Sequence, residues 1–368
     1  MKYFLIAGEA SGDLLGASLM EGIIAKDPEA EFNFWGGNLM QDQAPGLLQH
    51  YKEINIMGFV EVLMNIRTIK NNINRCKQQV LDFAPDILIL IDYPGFNMRL
   101  AAFGKEKGIK TCYFIAPKIW AWNENRGFKL EKYIDLLLLI FPFEESYFKK
   151  WKVNAKYIGN PLYNQTQEFK LDAGFREKYS LSQKPIIALL PGSRKQEIKR
   201  MLPNMVALAK AYPNYQFIIA GSPGLNQEFY TPYLNENVKI IFNETRSILA
   251  ASEAAVVCSG TASLETAFMN IPQVVAYAAQ PLTYLIASSF VKVKYASLVN
   301  LNLNREAVKE LIQKEFNLEK LKEEFQSILI KGNKREMVLN EYKALNQLFS
   351  DKNASAAAAE EIKKLLQA

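Results

Sequence analysis

Histidine occurs once in the chain, as His50, and cysteine three times, at Cys76, Cys112 and Cys258. The single imidazole sits in QHYKE with no acid or thiol at ligand spacing; it is expected at the surface, which argues against histidine-based catalysis and multi-histidine metal sites. Three thiols far apart form neither a metal-site spacing nor an even disulfide framework, so a reducing cytoplasm is expected. There is no Asp-x-Asp pair to chelate a metal diphosphate, and no metal or cofactor is expected. Long apolar runs are missing too: the longest, Leu136 to Phe143, falls short of the roughly 20 residues that span a bilayer. The start, MKYFLIAGE, lacks the apolar core of a signal peptide. Positive charge exceeds negative by only +6 across 368 residues, with no dense basic stripe, so nucleic acid is not an expected partner.

What is present is a globular composition, 49% apolar and 22% charged, in a chain long enough for two domains. Short apolar runs alternate with amphipathic stretches, the pattern of parallel strands joined by helical crossovers. The first half offers KYFLIA, EFNFWG, DILILID, KTCYFI, LLLLIF and AKYIG as strands; the second offers PIIALL, YQFIIAG, VKIIF, AAVVC and PQVVAY. This predicts an α/β protein of two Rossmann-like doubly wound domains facing a cleft, residues 1–165 and 166–345, followed by a C-terminal helical segment, 346–368. The polar stretch from Gly159 to Asp172 reads as a linker. Asn353 is placed to cap a terminal helix, and a homodimer through that segment is a further expectation.

Chemistry-bearing residues gather where strands end, the place ligands occupy in such sheets. The turn AGEASGD is rich in small residues, as a phosphate loop is, but carries Glu9 and Asp13, which would repel phosphate; it suits a hydroxyl-bearing substrate, with Ser11 beside the acids. Asp92, in IDYPGFN, emerges from the most apolar strand ahead of a turn forced by Pro94 and Gly95. Trp120 and Arg126, in APKIWAWNENR, suit stacking on a sugar and contact with a substrate phosphate. In the second half the turns carry no such acids. LLPGSR places Gly192, Ser193 and Arg194 between a strand and a helix, where N–H donors and a guanidinium can hold a diphosphate. SGTASLE opens a helix with Ser259, Gly260 and Thr261, and puts Glu265 one turn in, where a carboxylate can accept from ribose hydroxyls.

These motifs, AGEASGD, INIMGFVEVL, IDYPGFN, IWAWNENR, FPFEE, LLPGSR and SGTASLE, in this order and spacing, resemble those of the bacterial lipid-A-disaccharide synthases from the first strand to about Asn300. The resemblance implies the glycosyltransferase B architecture. It also implies transfer of 2,3-diacylglucosamine from its UDP derivative to 2,3-diacylglucosamine 1-phosphate, giving a β-1′,6-linked disaccharide and UDP. It assigns Asp92 as candidate base, with Glu9, Ser11 and Asp13 in the first-strand loop. Arg194, Ser259, Gly260, Thr261 and Glu265 match its UDP side, and Asn300 its SLPN asparagine. Two positions depart from the pattern: Val299 stands where proline is usual and Asn160 where histidine is common, so no histidine acts at that point. Membrane-borne substrates imply a cytoplasmic enzyme lying on the inner face of the inner membrane. Residues 56–77 would dock it, because Met57, Val60 and Met64 make that segment apolar beyond its core-facing stripe, with cations following. A UDP-sugar epimerase of the same architecture, a non-catalytic nucleotide-sugar binder and a glycosyltransferase with a short-chain acceptor are the alternatives.

Overall fold

Strands whose side chains are apolar on both faces need cover on both faces, and this chain supplies it twice. The computed structural model describes residues 1–54, 66–280 and 293–368. They divide into two units, Met1–Pro161 with Asp351–Ala368, and Leu162–Ser350.

The first unit holds β1 (Lys2–Ala7), β2 (Glu31–Gly36), β3 (Leu47–His50), β4 (Ile87–Ile91), β5 (Lys110–Phe114), β6 (Leu136–Leu139) and β7 (Ala155–Tyr157), in the order β3-β2-β1-β4-β5-β6-β7. Every described pairing is parallel. The runs ILILI in β4 and LLLL in β6 are buried throughout, as a sheet covered on both sides requires. Alternation along β1 sends Tyr3, Leu5 and Ala7 into one core, against helix Ala10–Lys26. Phe4 and Ile6 enter the other, with Trp35, Cys76, Val80 and Leu100.

The second unit repeats the plan with β8 (Ile186–Leu190), β9 (Gln216–Gly221), β10 (Val238–Phe242), β11 (Ser252–Cys258), β12 (Gln273–Tyr277) and β13 (Glu310–Ile312). Their order is β10-β9-β8-β11-β12-β13, again parallel. The doubly wound α/β class is thus as expected; ten of the eleven quoted runs contain their strand whole, and AAVVC falls within β11, which starts two residues earlier. The short β3 and β13 escaped prediction, being four and three residues with few β-formers.

Two local expectations change. The supposed linker contains the helix Pro161–Glu168, begun by a proline suited to a first helical position. His50, expected at the surface, is half-buried beside Tyr51, its ring centroid 4.7 Å away. The segment from Met57 to Met64 lies outside the described residues. Beyond it, helix Ile66–Phe83 turns Ile73, Cys76 and Val80 into the core while Arg67, Lys70 and Arg75 are exposed. Among the described residues no helix is long and apolar enough to cross a membrane.

The terminal helix Ala354–Gln367 forms with Asn353 as its cap, the side chain accepting from the Ala356 N–H at 3.1 Å. It belongs to the first unit, where Ala354, Ala358, Ala359 and Ile362 pack on Leu19, Met20 and Ile23. The approach is close: the Ser18 and Ser355 hydroxyls share a hydrogen bond at 2.5 Å, and a Cβ on Gly22 would stand 2.6 Å from the Ser355 carbonyl oxygen. Gly22→Val is therefore expected to lower the urea midpoint by an amount equivalent to about 1–3 kcal/mol. Gly95→Ala, where a Cβ meets nothing within 4 Å, should leave the midpoint unchanged or raise it. Equal midpoints for parent and Gly22→Val would overturn the close-contact account.

Candidate active site

At the carboxyl edge of the first sheet, the ends of β1 and β4 are locked together. Asp92 and Tyr93 follow β4 in the left-handed region, with φ of 44° and 46°. Side chains with a Cβ seldom adopt it, at a cost of about 1–2 kcal/mol each. The buried Asn97 holds them there. Its amide nitrogen donates to the carbonyls of Asp92 (2.8 Å), Ile91 (3.1 Å) and Ile6 (3.3 Å). The Tyr113 hydroxyl adds a 2.6 Å bond to the Asp92 carbonyl. The Tyr93 ring then lies over Gly8, where an added Cβ would stand 2.4 Å from Cδ1.

This turn presents the Asp92 carboxylate to solvent at the rim of the sheet. The surrounding chain displaces enough water to raise its carboxyl above the ordinary range; the Lys118 ammonium and the Tyr93 N–H oppose that rise. Half-buried Glu9 and exposed Ser11 stand where β1 gives way to its helix. Glu9 is near enough to Tyr93 to help raise that phenol. Asp92, Glu9 and Ser11 thus occupy neighbouring strand ends, as expected.

Two residues of the first half have other work. Asp13 is buried, its carboxylate accepting from the N–H groups of Gly37 (2.8 Å), Leu39 (3.1 Å) and Met40 (3.1 Å). Those donors open helix Asn38–Gln43, so Asp13 anchors that helix instead of facing a substrate. Trp120 is only 9% exposed and packs edge to face on Phe143 at 5.1 Å, so it is core and not a stacking platform. Arg126 is half-buried and close enough to affect Tyr113.

In the second unit a cavity of about 340 Å³ opens at the ends of β8, β9 and β11. Gly192, Ser193, Ser259, Gly260, Thr261 and Glu265 all line it, bringing together the two turns that the sequence singled out. Gly192 and Gly260 have φ of 108° and 148°, conformations open to glycine and strained for other residues. Gly260 immediately precedes helix Thr261–Phe268, whose first N–H groups and positive end favour an anion. Ser222 braces the wall, its hydroxyl donating to the Ser193 carbonyl at 3.1 Å and its N–H to the Tyr230 hydroxyl at 3.0 Å.

Arg194 projects outward, 79% exposed, and pairs with the cavity-lining Glu197 at 3.1 Å. Asn300 is the clearest departure. It is fully buried, donates to the Val308 carbonyl and Glu310 (both 2.8 Å) and accepts from Ala307 (2.8 Å) and Val308 (2.9 Å), which leaves no hydrogen for a ligand. Arg246 was missed by sequence reasoning. Its Nε donates to Glu265 at 2.9 Å and its guanidinium also reaches Gln165. Its place just after β10, in NETRS, is the strand-end signal that could have revealed it.

Two parallel doubly wound units, one with acids at its strand ends and the other with an anion-suited cavity, define a protein of the glycosyltransferase B class. Solved structures agree on the fold. The glycotransferase of kitacinnamycin aligns over 99% of both chains with a TM-score of 0.67 at 11% identity. The UDP-GlcNAc 2-epimerase from Neisseria meningitidis aligns over all of both, at 0.61 and 14%. Sequence comparison is more specific. Residues 3–362 match the model of the lipid-A-disaccharide synthetase family. Lipid-A-disaccharide synthases from Myxococcus xanthus and Coxiella burnetii are 36% and 32% identical, covering 99% and 98% of this chain and 97% and 98% of their own. The chain belongs to the lipid-A-disaccharide synthetase family, and its activity is that of a glycosyltransferase of lipid A biosynthesis.

If the Gly8 contact sets the Asp92 turn, Gly8→Ala should lower disaccharide synthesis by about 10²-fold, the usual consequence of an ångström-scale misplacement. Parental turnover in a folded Gly8→Ala enzyme would show that the two loops are not coupled.

Proposed function

We propose that the enzyme transfers 2,3-diacylglucosamine from its UDP derivative to the 6-hydroxyl of 2,3-diacylglucosamine 1-phosphate, by a single displacement that inverts the anomeric centre. The observation that carries this is the second unit's cavity, where two helix-opening turns and Glu265 converge. In this reading the helix N-termini and the Gly192–Ser193 backbone take the diphosphate, and Glu265, oriented by Arg246, accepts from the ribose hydroxyls. Arg194 leaves Glu197 to meet the leaving phosphate. An α-linked donor and a β-linked product require the acceptor hydroxyl to attack opposite the departing UDP. A base on the first unit must take its proton, and Asp92 is the carboxylate best suited, being exposed and raised toward the working pH. Glu9 and Ser11 would hold acceptor hydroxyls, and Arg126 its phosphate.

Asp92→Asn should lower turnover by roughly 10²–10⁴ while UDP titration stays parental. Glu265→Ala should weaken UDP binding. The acid limb of the parental rate profile should lie above the usual carboxylate range, because the raised Asp92 carboxyl must lose its proton before it can act. Synthetic UDP-diacylglucosamine, incubated with and without the monosaccharide phosphate and read by mass spectrometry, tests the whole reading. Disaccharide formed only with acceptor supports it; donor consumed without acceptor would favour an epimerase; UDP bound without turnover would leave a binding protein.

The same substrates motivate peripheral attachment to the inner membrane through residues 56–77, since lifting acyl chains into water costs about 0.8 kcal/mol per CH₂. Changing Met57, Val60 and Met64 together to Ser should reduce cosedimentation with anionic liposomes while UDP binding persists. Parental sedimentation, or an unfolded triple variant, would remove the docking role.

A further inference from the structure

Three neighbouring strands of the first sheet end side by side. The Asp92 N–H donates to the Phe114 carbonyl at the end of β5, and the Ala116 N–H to the Leu138 carbonyl of β6, both at 3.1 Å. The middle segment is the least able to hold its own shape. Ile115 is β-branched yet has a φ of 70°, and the helix that follows, Ile119–Trp122, is only four residues. Strain of that kind persists only where the surroundings over-determine it, and so short a helix is not stable alone.

The anchor is Glu144, which is completely buried. One carboxylate oxygen accepts from Trp120 Nε1 at 2.9 Å; the other accepts from the N–H groups of Phe141 (3.1 Å) and Ile140 (3.3 Å). Both oxygens are thus occupied as acceptors, one on the β5 side and one on the β6 side. Lys118, on this same segment, is exposed and within electrostatic reach of both the Asp92 and the Glu144 carboxyls.

We propose that Glu144 is a positioning residue for the transfer reaction: by tying Trp120 to the end of β6, it fixes the Ala116–Trp120 segment so that the Lys118 ammonium stands beside Asp92. The inference rests on Asp92 being the base. Burial pushes the Glu144 carboxyl up to about 7, against its three donors and Lys118, so the anchor is retained at an electrostatic cost. Other charged or titratable groups around the Asp92 turn are Tyr113, which its charge raises, Arg126 near that phenol, and Glu9 near Tyr93.

Glu144→Gln replaces an acceptor by a donor that must oppose either the indole N–H or the two backbone N–H groups. Lys118 then loses its place, Asp92 loses a stabilising cation, and its carboxyl rises further. The expected result is a roughly tenfold fall in kcat and an acid limb of kcat/KM displaced upward by about one pH unit, with UDP affinity unchanged. Lys118→Met should displace the limb in the same direction, and the double variant no further than Lys118→Met alone. An unmoved limb in either single variant overturns the proposal. Should Glu144→Gln fail to fold, Trp120→Phe, which keeps the ring and drops the N–H, takes its place; a displaced limb supports the assignment and a parental one overturns it. Asp92→Asn separates the two readings. Parental turnover there defeats the base assignment itself, whereas lost turnover there with an unmoved limb in Glu144→Gln defeats only the positioning role.

Discussion

The side-chain amide of Asn97 shares its hydrogens among the carbonyls of Ile6, Ile91 and Asp92, and the edge of the first unit is organised around that contact. A parallel sheet ends with carbonyls that no further strand satisfies, and burying them unpaired would be costly. Meeting three of them with one buried amide joins the ends of β1 and β4. It also lets Asp92 and Tyr93 stay in a conformation that neither would choose in isolation. The Tyr93 ring can then pass over Gly8, and both loops carry their carboxylates in a defined relation.

The second unit solves the opposite electrostatic problem. An anion needs donors and a positive end, so glycines take the positive-φ positions beside the cavity and a helix begins there. Acids are admitted only where they are paired. Glu265 is held by Arg246, and Glu197 by Arg194, so the carboxylate charge lining the cavity is offset by cations on its margin. This division, acids on one unit and anion-suited turns on the other, suits the inverting transfer proposed above.

What the sequence determined by itself was whatever depends on local pattern. Apolar runs buried on both faces named eleven strands and the α/β class, and small residues after strands found every lining turn of the second-unit cavity that the motifs had marked, because backbone geometry there follows from glycine and helix start. What only the tertiary structure decided was which polar side chains face a ligand and which face the protein. Asp13, Trp120 and Asn300 carry the same chemical groups as a binding site, yet their partners lie elsewhere in the chain: Gly37 to Met40 for Asp13, Glu144 for Trp120, Val308 and Glu310 for Asn300. Arg246 was invisible for the converse reason, since its value lies in Glu265, nineteen residues away. A hydrogen bond is short-ranged and directional, so its use is set by what folding brings within 3 Å, and spacing along the chain does not record that.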